Sequence, residues 1–276
     1  MSLTHNAGHR SAREAVSCSA APQGLEPVIE GGGTLEADWQ RWPGLSLLQE
    51  IDFTELTQVC ARVVVVAPHP DDEVLACGGL LAMLSDCWHP VTVISVTDGD
   101  ASHPGSRRWP RQLLAQQWHA EALEALSRLG LKPLDYVRLS LPDGQVQQHE
   151  SSLSQQLISQ LLPSDLVIST WVADAHPDHE STARATAAAC AAVRCTHWQA
   201  PVWMWHWAAP ADRRVPWHQL KRLRLTSTAL QRKTNAIQAH ASQLQVQDTG
   251  APAVLPATML ARMLRQFEYV LLPESL

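Results

Sequence analysis

Residues Val63-Val64-Val65-Val66-Ala67 form a run of mostly β-branched side chains that stops at Pro68-His69-Pro70-Asp71-Asp72-Glu73. An apolar run without polar alternation fits a central strand covered on both faces. The two prolines set the turn around His69. The acids then open a helix carrying Val74, Leu75, Leu80, Leu81 and Leu84, where carboxylates suit the positive end of the helix dipole. In an open α/β sheet, ligands bind in the crevice beyond the carboxyl ends of the strands. The stretch therefore calls for a sheet buried from both sides and puts an imidazole with three acids at its edge.

Strand and helix patterns alternate from there on. Val91–Val96 reads as a strand ending at Thr97-Asp98-Gly99-Asp100, followed by a polar loop with His103, Arg107 and Arg108. A helix over Gln112–Leu129 closes on Gly130. Tyr136–Leu139 reads as a strand, Pro142-Asp143-Gly144 as a turn, Ser152–Leu162 as a helix and Leu166–Thr170 as a strand. That strand runs out to His176-Pro177-Asp178-His179-Glu180, and an alanine-rich helix extends to about Arg194. Val202–Trp207 reads as a strand with Trp203, Trp205 and Trp207 on one face and Met204 and His206 on the other. Residues 226–246 read as a helix, and the tail from Leu255 as a further helix with a short strand at Phe267–Leu272. The alternation predicts a mainly parallel sheet wrapped by helices on both faces.

Charge and composition narrow the function classes. The net charge of −6 is concentrated in residues 1–60, which carry three Lys/Arg against eight Asp/Glu, and no basic run could track a phosphate backbone. Nucleic acid is not an expected partner. No apolar run approaches the roughly 18 residues of a membrane span, and Met1–Ala20 has no signal-peptide core. Six cysteines without a C-x-x-C pair fit reduced thiols, so the expectation is a cytoplasmic protein, with a homo-oligomer compatible. Residues 1–60 are expected to be an N-terminal extension, a flexible leader to about residue 35 and then a segment packed through Trp39, Trp42, Leu45, Leu47 and Leu48. Residues 61–276 are expected to be one domain. Gly31-Gly32-Gly33 neither follows a strand nor opens a helix, so it does not read as a dinucleotide loop.

His69 and Asp72 span a strand-to-helix turn and can reach one ion. Taken alone they fit a packed loop histidine and helix-capping acids. The second turn, His176-Pro177-Asp178-His179, also follows an apolar strand and precedes a helix, which puts both clusters on the same carboxyl edge. Two imidazole-bearing turns with carboxylates and an open position suit a catalytic zinc ion.

Pro68-His69-Pro70-Asp71-Asp72-Glu73 together with Ala175-His176-Pro177-Asp178-His179 resembles the signature pair of the PIG-L/LmbE-like zinc-dependent N-acetylglucosaminyl deacetylases. The resemblance extends through Thr97-Asp98-Gly99-Asp100, Leu129-Gly130 and Lys233, Ala236 and His240-Ala241-Ser242-Gln243, covering about residues 62–272. It implies a Rossmann-like three-layer α/β sandwich, and a hydrolase that removes the acetyl group from an amino-sugar small molecule or glycoconjugate. It also implies one Zn2+ on His69, Asp72 and His179, with Asp71 as general base. His176, protonated and oriented by Asp178, would stabilise the oxyanion or protonate the leaving amine. Another divalent transition metal would suit the same donors. Many members place an arginine ahead of the glutamate in the Leu129-Gly130 helix; this chain has Trp118 before Glu121.

Further candidates are Asp98, as a pocket-shaping residue or a plain strand-end turn, and Arg107 and Arg108, as an anion clamp or a solvated loop. His206 could approach the site from its strand face. Lys233 and His240, seven apart, are expected on one face of their helix. Three rivals remain: an amidase for a larger acyl group on the same kind of sugar, a metal-dependent nucleotide-sugar transferase using Asp98 and Asp100 as a D-x-D pair, and a sugar-binding protein that keeps the fold without catalysis, against which the intact Asp71 argues.

Overall fold

The computed structural model describes residues 27–132 and 136–273; the part of the leader at residues 1–26 lies outside the described residues. One eight-stranded sheet organises the chain, in the order β1-β7-β8-β6-β5-β2-β3-β4. The strands are β1 (Glu50–Ile51), β2 (Arg62–Ala67), β3 (Val91–Thr97), β4 (Tyr136–Leu141), β5 (Asp165–Thr170), β6 (Thr196–Ala200), β7 (Leu220–Arg224) and β8 (Phe267–Leu271). β6, β5, β2, β3 and β4 are mutually parallel, and β8 is antiparallel to both β6 and β7.

The helices are α1 (Glu36–Arg41), α2 (Gly44–Leu47), α3 (Phe53–Val59), α4 (Asp72–Asp86), α5 (Arg111–Arg128), α6 (Glu150–Ile158), α7 (Pro177–Val193), α8 (Met204–Trp207), α9 (Ser227–Ile237) and α10 (Ala257–Met263). Alternation along β2 divides the core. Val63 and Val65 belong with Leu80, Leu81 and Leu84 of α4, Ala125 and Leu126 of α5, and Ile237 of α9. Val64 and Val66 belong with Leu153 and Leu157 of α6 and Ala185 and Ala189 of α7. Each such valine, leucine or isoleucine, fully buried, stabilises by roughly 1.5–3 kcal/mol. The mainly parallel, three-layer α/β architecture is thus the expected one.

From β2 the chain adds β3 and then β4 on one side, and then crosses to place β5 on the other side of β2. The carboxyl ends of β2 and β5 therefore flank a topological switch point, where a crevice opens between diverging connections. His69 follows β2, and His176 and His179 follow β5.

Several expectations need correction. The strand expected at Val202–Trp207 is instead β6 at Thr196–Ala200, followed by the single turn α8. The cause is Asp174, whose fully buried carboxylate accepts from the N–H groups of Val202, Trp203 and Met204, at 3.1, 3.0 and 2.8 Å, and so turns the backbone into a helical start. The three tryptophans then part company: Trp205 packs edge-on against Trp39 and Trp207 stacks on Trp171, while Trp203 reaches the cavity described below. The helix expected over 226–246 ends at Ile237, so Lys233 and His240 do not share a helix face. Leu47 is 82% exposed, whereas Trp39 and Leu45 are buried as expected. Gly33, at φ +62°, lies so close to His206 of α8 that a Cβ would clash with its ring, whereas Gly31 and Gly32 meet nothing nearby.

Candidate active site

Both histidine turns are built by their strand ends. After β2, Thr97 Oγ1 and N–H both bond to Pro68 O, which ties the turn to β3. Gln243 Nε2 holds Pro70 O at 2.8 Å. After β5, Ala175 takes a left-handed conformation at φ +69°, with its N–H bonded to Glu180. Strain of this kind, over-determined by neighbours, is characteristic of functional turns. Pro177 then occupies the first turn of α7, with His176 as its N-cap.

His69, Asp72 and His179 converge, their ligand atoms all within 4.8 Å of one another. Asp72 Oδ2 stands 3.2 Å from His69 Nδ1 and 3.3 Å from His179 Nε2. The outer nitrogens are also held by carboxylates: His179 Nδ1 lies 2.8 Å from Asp174, and His69 Nε2 lies 3.3 Å from both Asp143 and Asp178. Carboxylates behind imidazoles are the arrangement that orients metal-binding histidines and raises their basicity. The donor set, two imidazoles and a carboxylate in a buried setting, fits a divalent transition metal. A second grouping, His69, His176 and Asp178, shares His69 with the first.

The electrostatics of the side chains themselves point the same way. Burial, followed by the charge of Asp72 beside it, pushes the Asp71 carboxyl up to about 8. Burial works against ionised Asp72, but the charge and hydrogen bond of His179, with those of His69, hold it well below the usual carboxylate range. Burial likewise opposes a charged His179, yet Asp72 and Asp174 outweigh it and raise it to about 9. For His69 the hydrogen bonds to Asp143, Asp178 and Asp72 overcome burial and raise it well above normal. Crowded, desolvated acids next to two cationic imidazoles are an arrangement a single cation can replace.

His176 lines the same cavity, its ring edge-on to that of His69. With His69 and His179 charged, burial and those two charges push its pKa down to about 3. Its Nδ1 accepts the Asp178 N–H at 3.3 Å, which leaves the proton on Nε2. The Asp178 carboxylate does not orient His176; it bonds to the N–H groups of Gly144 and Val146 and faces His69. Glu73, in the first turn of α4, is fully buried, and its Oε2 accepts the Asp71 N–H at 3.0 Å.

A cavity of about 250 Å3 opens over these groups, lined by His69, Asp71, Asp72, Asp143, His176 and His179 on its polar side. Leu75, Trp118, Trp203, Val254, Leu255 and Met259 supply the apolar side. Asp98, Arg107, Arg108 and His206 are not among the cavity-lining residues. Asp98 is ion-paired with Arg138 at 2.5 Å and Asp100 with Arg111 at 2.9 Å, which leaves no D-x-D pair free for a diphosphate. Arg107 and Arg108 stand on an exposed loop, their N–H groups pinned by Asp248. His206 is buried between Glu30 O and Arg262. Asp143 and Asp174 are site residues that sequence reasoning does not find. Asp143 reads there only as a turn residue, and the sole signal for Asp174 is its place two residues before His176.

Residues 64–190 match the family model of PIG-L, the GlcNAc-PI de-N-acetylases. Among solved structures, the A40926 pseudoaglycone deacetylase Dbv21 is 23% identical, covers 77% of this chain and 96% of its own, and superposes with a TM-score of 0.59. N,N'-diacetylchitobiose deacetylase from Pyrococcus horikoshii is 19% identical over 71% of this chain and 75% of its own, with a TM-score of 0.55. The zinc inhibited form of teicoplanin deacetylase Orf2 is 17% identical over 66% and 84%, with a TM-score of 0.53. No curated protein sequence matches the chain significantly.

Proposed function

We propose that this chain, which belongs to the PIG-L family through the domain at residues 64–190, is a metal-dependent hydrolase that removes the acetyl group from an N-acetylglucosaminyl small molecule or glycoconjugate. The observation that carries this reading is the meeting of His69, Asp71 and Asp72 with His176 and His179 at the switch point between β2 and β5.

His69, Asp72 and His179 would hold the ion, and zinc is the metal this donor set suits best. When bound, such an ion lowers the pKa of a coordinated water to about 7 and polarises an amide carbonyl. The chain's own residues supply the rest. Asp71 lines the cavity beside the metal ligands but belongs to neither metal-ligating group, which leaves its carboxylate for taking the proton of the attacking water. His176, whose Nδ1 accepts from the Asp178 N–H, keeps Nε2 to present a proton to the oxygen on which negative charge develops. Leu75, Leu255 and Met259 limit water on the apolar side. The cavity falls below the roughly 300–1,000 Å3 of pockets for drug-sized ligands, which favours acetyl over a long acyl chain.

The test is metal analysis of the purified protein, combined with a mass-spectrometric screen of N-acetylated sugars for loss of an acetyl group. Acetate and free amine in equal amounts, abolished by a chelator and restored by Zn2+, are expected; no release with any divalent metal overturns the reading. The ligand set has its own check. Asp174→Asn keeps an oxygen for the Val202 and Met204 amides but removes the charge behind His179, and should weaken metal binding about 10–100-fold in a chelator competition. Unchanged affinity would place the ion elsewhere than on His179.

A further inference from the structure

We infer that the strap at residues 30–34, through His206 and Arg262, clamps α8 to α10 and so sets the apolar wall against which the substrate lies; this rests on the de-N-acetylation proposed for that cavity. His206 and Arg262 are positioning residues. Neither lines the cavity, and each stands on an element that carries part of its wall. Trp203 is the residue that opens α8, and Met259 lies on α10 one turn ahead of Arg262. The ring of His206 meets that of Trp203 edge-on with their centres 5.7 Å apart, and Trp203 in turn lies at 18° to the ring of His176. A shift of the clamp therefore reaches the cavity through two side chains.

The clamp ties together groups that depend on one another for partners. Arg262 is 2% exposed and forms no ion pair among the described residues. Its guanidinium donates to Gly32 O at 3.0 Å and Thr34 O at 2.6 Å on the strap, and to His206 Nδ1 at 3.0 Å. A buried cation with those acceptors is compensated only while the strap is seated. The strap is held in return: His206 Nε2–H donates to Glu30 O at 3.0 Å, Thr34 N–H to His206 O at 2.9 Å and Thr34 Oγ1 to Ala208 O at 2.6 Å. Gly33, at φ +62°, lies directly on the His206 ring, where a side chain has no room.

The same geometry makes the clamp sensitive to pH. One neutral tautomer of His206 serves both neighbours, with Nδ1 bare for Arg262 and Nε2–H for Glu30 O. A proton on Nδ1 replaces that acceptor by a second cation facing the guanidinium. No carboxylate stands ready to balance it: the side chain of Glu30 is exposed, and Glu36 of α1 is paired with Arg265 at 2.6 Å. Burial, with the Arg262 charge, outweighs the bond to Glu30 O and holds His206 below the ordinary histidine range. A released His206 takes up a proton below about pH 6.5 and the clamped one does not, so the clamp is intact at neutral pH and loosens as pH falls.

The first test is Gly33→Ala in the metal-loaded full chain, which leaves every cavity residue in place but sets a Cβ 2.6 Å from the His206 ring. KM for methyl N-acetyl-β-glucosaminide should rise about three- to tenfold, with kcat within about twofold and metal affinity unchanged. Arg262→Met should do the same, and Arg262→Lys, which keeps a cation for the strap carbonyls, should recover part of the loss. An unchanged KM in both Gly33→Ala and Arg262→Met overturns the positioning role, as does a fall in kcat alone. The second test, hydrogen exchange, needs no variant to fold. In the unmodified protein the Thr34 amide, corrected for intrinsic exchange, should be at least about tenfold less protected at pH 5.5 than at pH 7.5. In His206→Asn, whose amide oxygen can accept from Arg262 without titrating, the two values should agree. Protection independent of pH in the unmodified protein, or equally dependent in His206→Asn, overturns the part given to His206. If no N-acetylated sugar is hydrolysed, the deacetylase reading fails, while a pH-dependent Thr34 amide still upholds the clamp.

Discussion

Asp71→Asn is expected to bind its metal with near-normal affinity and to lose roughly 10²–10⁴-fold in kcat, whereas His69→Ala is expected to lose metal and turnover together. The expectation rests on a division of labour between adjacent acids. Asp72 faces both His69 and His179 within 3.3 Å and is committed to them. Asp71 lines the cavity instead, and its backbone is fixed by the bond from its N–H to buried Glu73. An asparagine there preserves volume and removes the one function a carboxamide cannot perform, taking a proton. The pH profile supplies a second reading. A base acts when deprotonated, so kcat/KM should rise with pH through the Asp71 pKa. Burial and the neighbouring Asp72 charge by themselves push that carboxyl up to about 8. A cation held by Asp72 offsets that repulsion, so the acidic limb of the loaded enzyme should fall below pH 8 and should be missing from any residual activity of Asp71→Asn. Full turnover in the variant would remove Asp71 from the proton path.

The parts of the site that are legible in the sequence are those whose physics is local. The valine run of β2, the prolines around His69 and the proline after His176 state their conformations within a few residues, and both turns lie where such strand ends should put them. What is not legible depends on partners distant in sequence. Asp143 meets His69 only because β4 returns to the sheet edge on the far side of β3, and the buried charge of Asp174 overrides the strand pattern of Val202–Trp207. The same holds at the periphery. β7, Leu220–Arg224, has a charged sequence that reads poorly as a strand, and it pairs with β1 while Arg222 and Arg224 both bond to Glu50. The helix expected to run to residue 246 stops after Ile237, and the loop beyond it is recruited to hold Pro70 through Gln243.

Lys233→Met is expected to cost about 3–5 kcal/mol of stability, a fall in Tm of roughly 6–20 °C, although Lys233 does not line the cavity. Lys233 is 1% exposed, and its Nζ donates to Glu268 at 2.7 Å and to Leu75 O at 2.8 Å. Glu268, from β8, accepts in turn from the N–H groups of Gly79 and Leu80 at 2.7 and 2.8 Å. Leu75 O and Gly79 N are the pair an unbroken α4 would join to each other, so the ion pair enters the hydrogen-bond ladder of the helix that begins at Asp72. Close approach explains the glycines: a Cβ on Gly78 would stand 3.0 Å from Lys233, and one on Gly79 would clash with Leu225. Removing the ammonium strands a buried carboxylate between two amides and leaves Leu75 O short of a donor. The double variant Lys233→Met/Glu268→Gln no longer buries an unpaired charge and should recover part of the loss. A single variant as destabilised as the double, or no loss in either by chemical denaturation, would show that the pair does not hold α4 in place beneath the site.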